Sequence, residues 1–141
     1  MSQKVGPNTS VGRVCTGKLV SIDVGDSLVE AAERMTYKRV GALAVMDKGS
    51  LVGIISEADL VAAIVEQAPM HTTCVRAYMT DAPITVSVKD DADLAARYML
   101  EHEIGHLPVM ESSEAVGMLS RSDLLAVGAV AEPHRGGQQD D

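Results

Sequence analysis

The amino-acid sequence contains the same segment twice. When the chain is shifted by 64 residues against itself, residues 11–62 align with residues 75–126 without a gap, and 17 of the 52 aligned positions are identical. Unrelated sequences of this length would share about three positions, so the similarity marks an internal duplication. A duplicated segment of this size is one supersecondary unit, which buries its apolar face against its neighbour.

Each copy predicts the element order β-α-β-β-α, in a mixed α/β (α+β) fold. A β-branched run at residues 19–22 predicts a strand, and a capping box at Ser27 and Glu30 opens a helix with apolar positions spaced by three and four residues. Gly41 is expected to end this helix as its C-cap, and Gly105 does the same in the second copy. Two further strands with a turn of about four residues between them, and a second helix that begins at Ser56 or Ser120, complete each copy. The remaining strands are expected at residues 42–46, 51–55, 83–86, 107–110 and 115–119.

The duplication divides the chain into an N-terminal extension (1–10), copy one (11–67), a linker (68–74), copy two (75–130) and a tail (131–141) that we expect to be disordered. A unit of about 55 residues is marginally stable alone. We therefore expect the two copies to pack together with pseudo-twofold symmetry and to leave two related clefts at their junction.

Composition excludes several classes of protein. The net charge of −8 argues against binding to the nucleic-acid backbone. The longest apolar run, residues 124–131, is far shorter than the roughly 20 residues that cross a bilayer. Two unclustered cysteines imply no disulfide framework, and no signal segment is present, so we expect a cytoplasmic protein with no membrane association.

One motif occurs once in each copy. Gly53, Ser56 and Asp59 form a Gly-x-x-Ser-x-x-Asp pattern, and Gly117, Ser120 and Asp123 repeat it. With its β-α-β context this pair of motifs resembles the tandem CBS (cystathionine-β-synthase) domain pair, also called a Bateman module, over residues 11–129.

The resemblance implies a stand-alone regulatory module, not an enzyme. It would bind an adenosine-containing ligand (AMP, ADP, ATP, S-adenosylmethionine or NAD) and signal through an effector protein or its own homodimer, with no required cofactor, catalytic residue or metal. Asp59 and Asp123 would accept hydrogen bonds from the ribose, and Ser56 and Ser120 would lie near the phosphate. The adenine would contact residues near the first strand of each copy, namely Val20, Ser21, Ile84 and Thr85. His106 occupies the position at which some AMP-binding relatives have a phosphate-binding arginine.

Two questions stay open at the level of sequence. The Ser-x-x-Asp pairs are also capping boxes that need no ligand, so a protein-interaction module of the same fold without a nucleotide is the alternative. The phosphate charge could be met by any of several basic side chains, namely Lys18, Lys38, Arg39, Arg76, Arg121 or His106.

A zinc-protease pattern, His-Glu-x-x-His, occurs at residues 102–106. It requires both histidines on one helical face. The repeat alignment places His106 at the start of a strand instead, and Pro108 disfavours helical geometry just before it. We therefore expect no zinc site.

Overall fold

The structure is a computed structural model, and it describes residues 9–15 and 17–128. Most of the predicted extension (1–10) and all of the predicted tail (131–141) lie outside the described residues. In chain order the elements are α1 (Val11–Val14), β1 (Ser21–Asp23), α2 (Leu28–Lys38), β2 (Ala42–Asp47), β3 (Ser50–Ser56), α3 (Glu57–Val65), a 3-10 turn (Val75–Ala77), β4 (Thr80–Asp81), β5 (Val86–Ser87), α4 (Ala92–His102), β6 (His106–Glu111), β7 (Glu114–Ser120) and α5 (Arg121–Ala126).

The predicted mixed α/β fold with a β-α-β-β-α order in each half is confirmed. The sheet of the first half has the order β1-β2-β3-β4, in which β4 comes from the start of the second copy, and the sheet of the second half has the order β5-β6-β7. In both halves the first strand pairs in parallel with the second, which pairs antiparallel with the third. A helix lies in the connection between the two parallel strands of each half, as a crossover connection of this length usually contains.

Each half has its own apolar core between sheet and helices. The helical spacing predicted from the sequence is confirmed, since Leu28, Ala31 and Met35 of α2 are buried. The capping box at its start is present, because Ser27 Oγ accepts a hydrogen bond from the Glu30 amide at 3.1 Å and the Glu30 carboxylate accepts one from the Ser27 amide at 2.8 Å.

The prediction that Gly41 and Gly105 are the C-caps of the two long helices is wrong. The helix α2 ends at Lys38 and is capped by Arg39, whose φ is 60°, and α4 ends at His102 with Glu103 at φ 55°. Long side chains therefore occupy left-handed positions that glycine would favour. Gly41 serves close packing instead, since a Cβ there would lie 3.3 Å from His106 Nε2.

The strands also shift slightly. The first strand of each half lies at Ser21–Asp23 and Val86–Ser87, later than the predicted 19–22 and 83–86. The turn between β2 and β3 has two residues rather than four, and both have positive φ: 52° at Lys48 and 84° at Gly49. A two-residue turn of this kind matches the twist of the strands, which lets them pair up to the turn itself.

The first residues of each copy, the lead segments 11–15 and 75–79, pack against the other half. The amide of Val11 donates to the Asp90 carbonyl at 2.7 Å, and at the equivalent place the amide of Val75 donates to the Asp26 carbonyl at 2.8 Å. Both valines are fully buried. The two halves are therefore linked by a reciprocal exchange of these lead segments.

The motif glycines permit this exchange. A Cβ on Gly53 would lie 2.6 Å from Met79 Sδ and 2.8 Å from the Thr80 carbonyl oxygen, and a Cβ on Gly117 would lie 2.9 Å from Cys15 Sγ. Cys15 and Met79 belong to the exchanged lead segments, so each glycine provides room for the segment that crosses its strand.

Within residues 9–15 and 17–128, none of the helices has the length and apolar character needed to span a membrane.

Candidate functional site

Two clefts lie at the junction of the halves, and each contains one copy of the Ser-x-x-Asp motif. The first cleft has a volume of about 430 Å³ and the second cleft about 440 Å³, within the usual range for small-molecule sites. The first cleft is lined by Gly41, Ile54, Ser56, Glu57, Ala58, Asp59, Thr80, Glu103, Ile104, Gly105 and His106. The second cleft is lined by Gly17, Lys18, Val20, Arg39, Val40, Gly41, Ala42, Glu57, His106, Met118, Ser120, Ser122 and Asp123.

The motif aspartates both cap a helix. Asp59 Oδ2 accepts hydrogen bonds from the Ser56 amide at 2.8 Å and from the Ser56 hydroxyl at 3.1 Å. Asp123 Oδ2 accepts from the Ser120 amide at 2.9 Å, while Ser120 Oγ accepts from the Asp123 amide at 3.2 Å. Among the described residues, the Oδ1 atom of each aspartate makes no hydrogen bond. Capping thus leaves one carboxylate oxygen on each half-buried side chain to accept hydrogen bonds from a ligand.

The structure brings most of the predicted site residues into the clefts. The two Ser-Asp pairs occupy one cleft each, Val20 lines the second cleft and His106 lines both. Three predicted residues are not among the lining residues. Ser21 lies in β1, where its carbonyl accepts a hydrogen bond from Arg34 Nη1 at 2.8 Å. Ile84 packs against the core of the second half, and Thr85 precedes β5.

Of the basic side chains considered for the phosphate, Lys18 and Arg39 line the second cleft. Two others are engaged elsewhere: Arg76 forms an ion pair with Asp47 at 3.7 Å, and Arg121 donates to the Ile104 carbonyl at 3.1 Å. Lys38 lies over the ring of Tyr37, with 5.8 Å from Nζ to the ring centroid.

In the described part of the chain, three residues line both clefts, namely Gly41, Glu57 and His106. Burial is the main effect on half-buried His106 and lowers the pKa of its imidazole from 6.5, with Arg121 acting in the same direction, while Glu57 and Asp123 act in the opposite direction. Glu57, Glu103 and Thr80 also line the first cleft and are not among the predicted site residues. Glu103 could have been predicted from the repeat alignment, because it is equivalent to Arg39, which was considered for the phosphate.

The two histidines of the zinc-protease pattern lie on different elements, as predicted: His102 ends α4 and His106 begins β6. The ring of His102 instead contacts Tyr98 edge to face, with 6.3 Å between ring centroids.

The chain matches the CBS domain family model twice, over residues 11–66 and 75–129. A relative in Arabidopsis thaliana, the mitochondrial CBS domain-containing protein CBSX3, is 33% identical over 132 residues, which are 89% of this chain and 63% of that protein. An uncharacterized protein of Methanocaldococcus jannaschii is 29% identical over 136 residues, or 86% of this chain and 32% of its own. The chain thus spans less than two thirds of the length of either relative.

Two solved structures are similar over most of this chain. A CBS domain protein from Pyrobaculum aerophilum complexed with AMP has a TM-score of 0.78 and 26% identity, and the match covers 82% of this chain and 89% of that one. CBSX2 in complex with AMP has a TM-score of 0.73 and 28% identity, and the match covers 83% of this chain and 93% of that one. With both family matches and the same fold in these structures, the chain belongs to the CBS domain family, as a tandem pair of CBS domains.

Proposed function

We propose that this protein is a regulatory module that binds an adenosine-containing ligand at the junction of its halves. The observation that carries the proposal is the second cleft, where Asp123 has a free carboxylate oxygen and Lys18 and Arg39 supply positive charge. Two similar proteins were solved with AMP, which supports this class of ligand.

The chemistry of the second cleft suits each part of such a ligand. A carboxylate oxygen can accept hydrogen bonds from the two neighbouring ribose hydroxyls, and these charge-assisted bonds are stronger than neutral ones. The ammonium of Lys18 and the guanidinium of Arg39 can neutralise a phosphate. Val20 and Met118 offer apolar surface for the adenine ring.

Replacing Asp123 with Asn tests the proposal, because it separates capping from recognition. Asparagine retains an acceptor for the Ser120 amide, so the free energy of unfolding should change by only about 0.3–1 kcal/mol, the charge–dipole contribution. It loses the charge-assisted bonds to ribose, worth about 1.5–3 kcal/mol, so the affinity for AMP should fall by about 10- to 150-fold. Calorimetric titration measures the affinity, and urea unfolding measures the stability.

Asp59→Asn is the matched control, since it makes the same change in the first cleft. Unchanged AMP affinity in both variants would show that the aspartates only cap their helices. In that case the ligand assignment would be rejected.

The output of the module is expected to pass through a homodimer or an effector protein. Apolar side chains of α3 are exposed, which favours protein contact at this surface: Val61 is 58%, Ile64 61% and Val65 75% exposed. This surface also favours the alternative function, an interaction module without a nucleotide. We propose that a second copy of this chain binds this surface and forms a homodimer. The predicted compartment is the cytoplasm.

A further inference from the structure

We propose that Arg39 and Glu103, which hold equivalent positions in the two halves, determine the charge of the ligand that each cleft accepts. The second cleft would take a phosphorylated adenosine compound, and the first cleft an adenosine compound without phosphate that is neutral or positively charged. This inference rests on the proposed function and adds the ligand class of each cleft.

The charged side chains that line the clefts differ in sign. Among the described residues, those that line the first cleft include three carboxylates, of Glu57, Asp59 and Glu103, and no lysine or arginine. The second cleft has two carboxylates, those of Glu57 and Asp123, together with Lys18 and Arg39. If one aspartate in each cleft accepts hydrogen bonds from ribose, the remaining fixed charge is negative in the first cleft and positive in the second.

The difference arises at matched backbone positions. Arg39 and Glu103 each cap a long helix in the left-handed conformation, at φ 60° and 55°. Arg39 and Glu103 are 64 residues apart and are therefore equivalent in the repeat. Lys18 of the second cleft is equivalent in the same way to Ala82, which has no charge. The scaffold is therefore shared, and the side chains alone change the electrostatic potential.

A phosphate group in the first cleft would meet like charges with no lining cation. Such unpaired repulsion is an effective way to exclude a ligand, since it costs binding energy without affecting the shape of the site. The guanidinium of Arg121 donates to the Ile104 carbonyl at 3.1 Å, and Arg121 is not among the lining residues. A neutral nucleoside or a sulfonium such as S-adenosylmethionine carries no phosphate and avoids this repulsion.

Exchanging the two charges tests the inference. Arg39→Glu should weaken AMP binding about five- to twentyfold, by an amount that shrinks in high salt. Glu103→Arg should create a second AMP site, so that the calorimetric stoichiometry rises from one AMP per chain to two. Both variants are expected to fold, because each places a residue type in a conformation that the other half already accommodates.

Adenosine and two control variants complete the design. Adenosine has no charge, so its affinity should be the same in the wild type and in both variants, and it should still bind when AMP is saturating. The exposed residues Arg97 and Glu101 of α4 lie outside both clefts, so Arg97→Glu and Glu101→Arg control for the change in net charge.

The outcomes distinguish the two proposals. Wild-type protein that binds neither AMP nor adenosine rejects the proposed function, and this inference with it. Binding of AMP with the same affinity and stoichiometry in the wild type, Arg39→Glu and Glu103→Arg rejects this inference and leaves the proposed function intact.

Discussion

His106 stands between the two clefts, and the sequence of the other half has alanine at the equivalent position, Ala42. The imidazole is half-buried at the start of β6. The groups that face it are the carboxylates of Glu57 and Asp123 and the guanidinium of Arg121. Because burial outweighs the carboxylates, the pKa of His106 is lowered, and the folded protein resists charging this side chain.

The stability of the free protein should therefore depend on pH through His106. As pH falls below 6.5, the ordinary pKa of histidine, the unfolded chain takes up a proton before the folded protein does. The contribution of neutral His106 is thus complete above that pH, and the free energy of unfolding decreases as pH falls through the lowered pKa.

Urea unfolding between about pH 5 and about pH 8 measures this slope. In His106→Ala the slope should be smaller than in the wild type, and the difference between the two curves isolates this one group. Parallel curves would show that the proton affinity of His106 is the same in both states.

At the residue scale, local rules predicted the helix starts and missed the helix ends. The capping boxes depend on side chains three residues apart, which the sequence displays directly. The C-caps at Arg39 and Glu103 adopt a left-handed conformation that glycine would favour, so the glycines two residues later do not mark the helix ends. Gly41 packs against His106, whereas a Cβ on Gly105 would meet no atom of the described residues within 4 Å. The placement of Lys18 and Arg39 in one cleft depends on the tertiary fold.

At the scale of elements, the main link between the two halves is the exchange of the lead segments. The short helix α1 contributes Val11 to the core of the second half, and the 3-10 turn contributes Val75 to the core of the first half. The repeat alignment shows that these valines are equivalent, but it carries no information about which half each one contacts. The predicted copies 11–67 and 75–130 follow the alignment, and their first residues pack across the boundary.

Truncating either valine should loosen the opposite half. Burying a valine side chain is worth about 1.5–3 kcal/mol, so Val11→Ala and Val75→Ala should each lower the free energy of unfolding by about 1–3 kcal/mol. Hydrogen exchange should become faster mainly in β6 and β7 for Val11→Ala, and mainly in β2 and β3 for Val75→Ala.

Arg13→Ala controls for the mutation itself, because Arg13 is exposed in the same turn of helix. If each valine variant instead accelerated exchange most strongly in its own half, the exchanged contacts would not be the ones that stabilise the fold.

At the scale of the whole molecule, one pseudo-symmetry relates the two lead segments, the two clefts and the exposed apolar side chains of α3 and α5. Val61 of α3 and Leu125 of α5 are equivalent in the repeat, and they are 58% and 60% exposed. Glu57 and His106 line both clefts, although the repeat pairs them with Arg121 and Ala42, so a ligand in either cleft would contact a wall shared with the other. Any signal from the clefts must leave through a surface, and the apolar surface of α3 is the strongest candidate.

We expect this surface to form the homodimer, and Ile64→Glu tests it. Ile64 is 61% exposed, so the change should cost little within one chain, whereas burying the new carboxylate between two chains would be unfavourable. The wild type should be a dimer and Ile64→Glu a monomer when the mass is measured by light scattering over a range of protein concentrations. Tyr37→Glu is the matched control, because Tyr37 has a large aromatic side chain, 83% exposed, on α2 rather than α3. A monomeric wild type, or an Ile64→Glu variant that dimerises as strongly as Tyr37→Glu, would exclude α3 as the dimer surface and favour an effector protein as its occupant.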